Sequence, residues 1–410
     1  MFVGEFPKLS ETFIINQVAA LLSDGHDVDI FALRDPQEEV VHNRVEEFEM
    51  RKKCRYTSPP ETHVQGALRV LSSVAHHPRY AHEILSGVFS RRPDHVVANI
   101  DEFLSQRDTK YDAHHAHFGP IGQDWQFLKK NSNDLSDRET PFVVSYYGFD
   151  ASTLLEDDPD VYEELYRRGD CFTVLSSDMR ENLLKTGCPS EKICYNPLGV
   201  DTEFFDFQER TDNSGEVNML IVARLVEKKG VIDAVDAMAQ IDEEIEAQLT
   251  IIGDGPRRDV IEEKIDENGL KNTVSVVGYK SLSEVRDYLY KSDMFMMPCI
   301  TDSNGETSPT PTILLQAQAT GIPILATEHS GIPEIVNEDS AILVPENDST
   351  ALAEAIEKLV KNPTDWSKMG KAGRQFVEDN HSIPALSERL IEIYSKCQNG
   401  CITSHSSDNH

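Results

Sequence analysis

Short apolar runs alternate with helical patterns through the second half of the chain, and this alternation restricts the fold more than any other feature. Apolar runs of this length, ending in glycine or polar residues, are typical of buried parallel strands. Strands that alternate with helices predict βαβ units and a parallel, doubly wound sheet. The predicted strands are 218–223, 248–253, 273–277, 294–297, 323–326 and 341–344, and the predicted helices are 231–241, 258–268, 282–291, 311–320, 332–336 and 350–361.

The first half shows the same α/β pattern less regularly, with a helical insertion predicted between about 40 and 105. The polar segment 206–215 separates the halves and is interpreted as a linker. A last helical pattern lies beyond the strands and is expected to pack back on the first half. The predicted parts are therefore a domain at 1–205, a domain at 206–380, a helix at 381–397 and a disordered tail at 398–410.

The charge balance excludes one class of partner. The 410 residues carry 71 acidic against 39 basic side chains, a net charge of -32, which argues against binding nucleic acid through phosphate contacts. Such an excess of acid is typical of a solubilising surface, and a halophilic source is a second interpretation. The 7 cysteines form no CxxC pair, which favours reduced thiols in a cytoplasmic protein.

Membrane contact, if any, is predicted to be peripheral. No signal peptide is recognised at the start, and no run reaches the roughly 20 apolar residues of a spanning helix. Residues 51–92 are locally basic. This segment either contacts an anionic bilayer or lipid-linked acceptor, or is an ordinary solvated helical face.

Candidate binding residues follow the predicted strands of the second half. Arg224 and Lys229 come just after the strand at 218–223, where a guanidinium and an ammonium group suit phosphate oxygens. Gly253 ends the next strand and permits close backbone approach. Gly278 and Tyr279 end the third, where backbone groups could contact a base. Each motif taken alone is a weak signal with an ordinary strand-to-helix turn as its alternative, and for Gly253 alone that alternative is favoured.

A helix start completes this set. Thr310 is predicted as the N-cap and Pro311 as the first helical residue, so that Thr312 and Ile313 present free N–H groups to an anion. Gln316, about one turn further, is suited to bind ribose hydroxyls. Glu306, in the preceding loop, is suited to bind sugar hydroxyls.

In this order the motifs resemble the retaining glycosyltransferases of family 4 over nearly the whole chain. The resemblance is carried by Arg-Leu at 224–225 with Lys-Gly at 229–230, Gly-Asp-Gly-Pro at 253–256, Val-Gly-Tyr at 277–279, and the segments 293–298, 317–326 and 330–334. The segments 5–14, 113–119 and 197–201 are similar to the colanic-acid and exopolysaccharide branch of that family.

The resemblance implies the GT-B architecture, in which two Rossmann-like domains face each other across a cleft. It implies that 1–205 is the acceptor side and that 206–380 binds a nucleotide-sugar. It assigns the diphosphate to Arg224 and Lys229, the base to backbone near Gly278, and the phosphate and sugar to the turn from Ser308. The chemistry implied is hexosyl transfer to a saccharide or lipid-linked hydroxyl, without a metal or other cofactor and with retained anomeric configuration.

The chain departs from the family pattern at three positions. Tyr147 stands where a histidine is usual beside the reacting sugar, and Ser308 and Gln316 stand where two glutamates are usual. Tyr147 and His117 are still expected to approach the sugar, and Glu306 replaces the first glutamate if the loop shifts. These departures favour a second hypothesis, a catalytically impaired scaffold that binds nucleotide-sugars. A third is another GT-B enzyme, such as a nucleotide-sugar epimerase or a phosphorylase.

Three histidines raise a metal alternative. Of His114, His115 and His117, the last two would share a face on a strand, and imidazole is a common zinc ligand. No nearby cysteine or carboxylate completes a zinc site, so a cleft-lining role is favoured. The oligomeric state is left open by the sequence.

Overall fold

The computed structural model describes residues 1–38, 42–57, 60, 62–76, 78, 81, 85, 111–126, 140–210, 215–308 and 310–399. The chain forms two compact units, one of Met1–Pro197 with Ser387–His410 and one of Leu198–Leu386. The division falls after Pro197, before the predicted boundary at 205/206. Most of the predicted tail lies outside the described residues.

The first unit contains a parallel sheet in the order β3-β2-β1-β4-β5-β6-β7. The order reverses between β1 and β4, as in a doubly wound fold. One strand lies inside the segment predicted as a helical insertion, because 54–56 pair in parallel with the neighbouring strand β2. The strands are β1 (Phe2–Glu5), β2 (Ile30–Arg34), β3 (Cys54–Tyr56), β4 (His114–His117), β5 (Phe142–Ser145), β6 (Cys171–Val174) and β7 (Ile193–Tyr195).

Helices cover this sheet. The first of them, at 12–23, buries Ile14, Ile15 and Val18 together with Val3 and Ile30 of the strands, because apolar residues recur on one helical face. Among the described residues of this unit, the helices are α1 (Thr12–Ser23), α2 (Asn43–Glu47), α3 (His63–His76), α4 (Gly119–Trp125), α5 (Thr153–Asp157), α6 (Glu163–Arg168) and α7 (Ser177–Lys185).

The second unit repeats the arrangement with a parallel sheet in the order β10-β9-β8-β11-β12-β13. Each strand predicted from the sequence is confirmed within one residue. The strands are β8 (Val217–Val222), β9 (Ala247–Ile252), β10 (Val274–Gly278), β11 (Met294–Met297), β12 (Ile324–Thr327) and β13 (Ala341–Val344). Both units are therefore Rossmann-like α/β domains.

The continuous apolar runs of these strands reflect burial on both faces of the sheet. Met294 and Met296 belong to one apolar cluster, and Phe295 and Met297 belong to another, because successive side chains of a strand point to opposite faces. The helices that flank the strands are α8 (Val231–Met238), α9 (Arg258–Glu267), α10 (Leu282–Lys291), α11 (Thr312–Ala319), α12 (Ser349–Lys361), α13 (Trp366–Asn380) and α14 (Ile383–Gln398).

Two helix predictions need correction. The pattern at 332–336 forms only a short 3-10 turn, Ile332–Glu334, with a proline in its first turn. Helix α11 begins at Thr312, with Pro311 as its extended N-cap residue, so the predicted cap at Thr310 was one residue early.

The final helix α14 starts in the second unit. From Ser387 it belongs to the first, where Leu390 and Ile393 are buried.

None of the described helices is long and apolar enough to cross a membrane.

Candidate active site

Arg224 lies at the carboxyl end of β8, held by backbone hydrogen bonds on both sides. The N–H of Ala223 donates to the carbonyl of Ile252 at 3.0 Å, and the N–H of Leu225 donates to that of Asp254 at 2.9 Å. The side chain of Arg224 is exposed. A fixed backbone therefore presents a guanidinium group at the sheet edge where doubly wound folds bind ligands.

Lys229 is brought to the same edge by a tight loop. Residues Glu227–Lys229 form a 3-10 turn that ends at Gly230, whose φ is 58°. A Cβ atom on Gly230 would lie 1.7 Å from the carbonyl oxygen of Pro298, directly after β11. The loop can pack against the end of β11 only because this residue has no side chain.

The electrostatics of this pair of cations point to an anionic ligand. Burial lowers the pKa of the Lys229 ammonium, and the positive charges of Lys228 and Arg224 lower it further, against the opposing effect of Cys299. Throughout the described ranges, neither Arg224 nor Lys229 has an ion-pair partner, whereas Lys228 is paired with Glu306. In a chain of net charge -32, two cations that lack an acidic partner among the described residues favour the binding of an anion.

The carboxyl ends of β9 and β10 pack closely against the end of β8. The N–H of Gly253 donates to the carbonyl of Gly278 at 3.0 Å. A Cβ atom on Gly253, whose φ is 141°, would lie 1.8 Å from the carbonyl oxygen of Ala223. Next to Gly278, Tyr279 is 82% exposed. The predicted base-binding residues thus lie at the same edge of the sheet as Arg224.

The loop after β11 is organised by its own polar groups. The carboxylate of Asp302 accepts from the N–H groups of Asn304 and Glu306, both at 2.9 Å. The carboxylate of Glu306 accepts from Lys228 Nζ at 2.9 Å, so this predicted sugar-binding group is engaged by a neighbouring cation. Sequence reasoning did not identify Lys228 or Asp302.

Helix α11 follows this loop, and its first turn offers unused donors. Within the described residues, the N–H groups of Thr312 and Ile313 donate to no acceptor, as expected for the start of a helix. The Gln316 side chain is half-buried, as is Thr310. Ser308 is buried, and its N–H donates to Nε2 of His329. This helix start is suited to bind phosphate oxygens.

The predicted first-domain residues lie in a separate cluster within the first unit. The hydroxyl of Tyr147 contacts Nδ1 of His117 at 2.7 Å. His117 has no exposed surface, so its imidazole orients Tyr147 instead of lining an open surface. Burial raises the pKa of Tyr147 and lowers that of His117, where His115 adds to the effect. Both groups are therefore neutral near pH 7.

His115 belongs to the same network. Its imidazole ring stacks on that of His117 with 4.4 Å between the ring centroids. Its two nitrogens contact the hydroxyls of Tyr394 and Ser145, each at 2.7 Å. Burial lowers the pKa of His115 to about 3. Across the described part of the chain, no group of three His, Cys, Asp or Glu side chains could hold a metal ion.

A buried carboxylate that sequence reasoning missed holds the turn after β5. Asp150 accepts from the N–H groups of Tyr147 at 2.9 Å, Gly148 at 3.1 Å and Gly119 at 2.9 Å. Because these amides come from the ends of β4 and β5, Asp150 fixes both strand ends and with them Tyr147.

Comparisons with known families match both halves of the chain. The model described as Glycosyltransferase Family 4 matches residues 10–204, and the model described as Glycosyl transferases group 1 matches residues 202–376.

Curated relatives match over nearly their full length. A protein named as a colanic acid biosynthesis glycosyltransferase, WcaL of Escherichia coli (strain K12), is 30% identical over 96% of this chain and 98% of its own. The amylovoran biosynthesis glycosyltransferase AmsK of Erwinia amylovora is 27% identical over the same shares.

Solved structures match the fold at lower identity. A glycosyltransferase of Rickettsia africae ESF-5 has a TM-score of 0.67 at 16% identity, over 97% of this chain and 98% of its own. Anabaena Alr3699/HepE in complex with UDP and glucose has a TM-score of 0.67 at 14% identity, over 96% of this chain and 98% of its own.

Proposed function

The chain belongs to the glycosyltransferases of family 4, with a group 1 second domain, and on that premise we propose that it transfers a hexose from a nucleoside-diphosphate sugar to a hydroxyl group with retained anomeric configuration. The names of the relatives WcaL and AmsK support an exopolysaccharide as the product. The proposed acceptor is a saccharide or a lipid-linked saccharide, and the proposed location is the cytoplasm.

One observation carries the donor assignment. Arg224 and Lys229 lie at the carboxyl edge of the second sheet without an ion-pair partner among the described residues. A diphosphate would supply the missing counter-charge, since guanidinium and ammonium groups bind phosphate oxygens by charge-assisted hydrogen bonds. The free amides of Thr312 and Ile313 add neutral donors for the same anion.

The proposed chemistry needs little acid or base from the protein. In a front-face displacement, the leaving diphosphate takes the proton of the acceptor hydroxyl, while the enzyme stabilises the developing charge. Lys229, Arg224 and the start of α11 would stabilise that charge, without a metal ion. Tyr147 would hydrogen-bond a sugar hydroxyl, because its raised pKa prevents it from acting as a base near pH 7.

The test is nucleoside diphosphate release from a panel of UDP-, GDP- and ADP-sugars, with and without acceptor extract. We expect acceptor-dependent release from at least one donor, and we expect EDTA to leave the rate unchanged. Heat-inactivated protein is the control.

Donor binding without release, even with acceptor extract present, would favour the scaffold hypothesis. The geometric support for that hypothesis is Glu306, whose carboxylate is engaged by Lys228 in a loop where the family has a sugar-binding glutamate. Turnover with any donor would exclude it.

Helix α3 supports peripheral membrane contact as part of the proposal. It contains no acidic residue, and Val64, Leu68 and Leu71 are 69%, 61% and 67% exposed at a spacing that places them on one face. Aspartate at Leu68 and Leu71 is expected to reduce co-sedimentation with anionic phosphatidylglycerol vesicles at least fivefold, because each apolar contact with the bilayer is replaced by repulsion.

The matched control is Leu282→Asp, which changes an exposed leucine of the second unit. Equal sedimentation of the wild-type protein and the Leu68/Leu71 variant would contradict a membrane role for α3.

A further inference from the structure

His329 joins two loops through both nitrogens of one buried ring. It follows β12 and is 1% exposed. Its Nε2 accepts the N–H of Ser308 at 2.9 Å, and its Nδ1 lies 2.6 Å from a carboxylate oxygen of Glu346. Ser308, His329 and Glu346 come from the loops after β11, β12 and β13, which are neighbouring strands with their carboxyl ends on one edge.

Glu346 holds a second point of the same loop. Its other oxygen accepts the N–H of Thr301 at 2.7 Å. Although burial opposes ionisation, the hydrogen bonds from Thr301 and His329 lower the pKa of Glu346. The loop after β11 is therefore tied at Thr301 directly by the carboxylate and at Ser308 through the imidazole.

The contacts define which ring nitrogen carries the proton. A backbone N–H can only donate, so Nε2 of His329 must be the acceptor for Ser308. Nδ1 then carries the proton and donates a hydrogen bond to Glu346. An imidazolium would place an Nε2–H against the N–H of Ser308, so the arrangement requires the neutral ring.

We propose that His329, oriented by Glu346, is a positioning residue that fixes the backbone of Ser308, the first residue of the turn predicted to bind the donor. The proposal rests on the proposed function, in which that turn and the first amides of α11 bind the donor's phosphate and sugar. His329 acts through Ser308 and not on the donor, because its ring is buried and both nitrogens are already engaged. It would preserve the turn at the position where the family's first glutamate is replaced by serine.

Hydrogen exchange tests the positioning without relying on turnover. In His329→Ala, the Ser308 amide loses its acceptor, and we expect the peptide that contains it to exchange roughly tenfold faster or more. In His329→Gln, the amide oxygen can accept from Ser308 while the amide nitrogen donates to Glu346, so we expect protection to return. His381→Ala, which removes another buried histidine of the same unit, is the matched control and should leave this peptide unchanged.

Kinetics and NMR complete the test. The KM for the donor should rise roughly tenfold in His329→Ala with a smaller change in kcat, and should recover in His329→Gln. In ¹⁵N spectra of histidine-labelled protein, the resonances lost in His329→Gln should be those of a neutral ring protonated at Nδ1. Unchanged exchange at Ser308 in His329→Ala, or a ring protonated at Nε2, would overturn the positioning role.

Failure of the proposed function would look different. It would show as absent turnover in the wild-type protein, while the exchange and NMR results still decide the role of His329.

Discussion

Arg224→Ala and Lys229→Ala are each expected to weaken binding of the nucleoside diphosphate by about 2 kcal/mol, roughly thirtyfold in Kd. Each change removes one charge-assisted contact from a site where no described carboxylate competes for either cation. The double variant should bind the nucleoside diphosphate roughly a hundredfold or more weakly. The two losses need not add, because the charges of Arg224 and Lys229 influence each other. Calorimetric titration with UDP, GDP and ADP measures these losses.

Lys264→Ala is the matched control for the cation variants. Lys264 is a cation of the same unit, but it is already paired with Asp236 at 3.0 Å. Its removal should leave the Kd within twofold, as is usual for a surface ion pair. Unchanged affinity in Arg224→Ala would refute the assignment of the diphosphate site.

The lowered pKa of Lys229 adds a pH signature to the same experiment. Because burial disfavours the ammonium form, Lys229 loses its charge at a lower pH than an ordinary lysine. Donor affinity should be highest at pH values below the lowered pKa, where Lys229 carries its charge, and should fall as the pH rises through that pKa. Lys229→Arg should shift this loss to higher pH, because a guanidinium keeps its proton.

The positions of Arg224, Lys229 and the helix start were accessible from the sequence because each depends on local signals. Apolar runs that end in glycine or polar residues mark the strand ends, and Pro311 marks the start of α11. The error of one residue at that start arises because proline is typical of the first helical position, whereas here it occupies the N-cap position. The local sequence does not distinguish them.

The hydrogen bonds that link Ser308, His329 and Glu346 could not be predicted in that way, since the three residues are brought together only by the order of the strands. Ser308, His329 and Glu346 each follow a different strand, and only the adjacency of β11, β12 and β13 brings them together. The burial of His117 was missed for a related reason. A strand of a parallel sheet is covered on both faces, so alternation does not reveal which histidine reaches solvent.

Gly230→Ala is expected to damage the cation site through the backbone alone. The new Cβ would lie 1.7 Å from the carbonyl oxygen of Pro298, at a φ of 58° that side chains disfavour. The strain of that φ costs about 1 kcal/mol, and relief of the clash must move either the Lys229 loop or the end of β11. We expect a total loss of about 3 kcal/mol or more in the free energy of unfolding, with at least tenfold weaker diphosphate binding by the folded protein.

Gly269→Ala separates the two contributions to the Gly230 result. Gly269 also has a positive φ, 70°, but a Cβ there would meet no atom within 4 Å. The Gly269→Ala variant should therefore lose only the conformational part of the free energy of unfolding, about 1 kcal/mol, and should bind the diphosphate normally. Urea denaturation and calorimetric titration of both variants measure the difference. If both lose the same stability and both keep their affinity, the contact of Gly230 with Pro298 does not position Lys229.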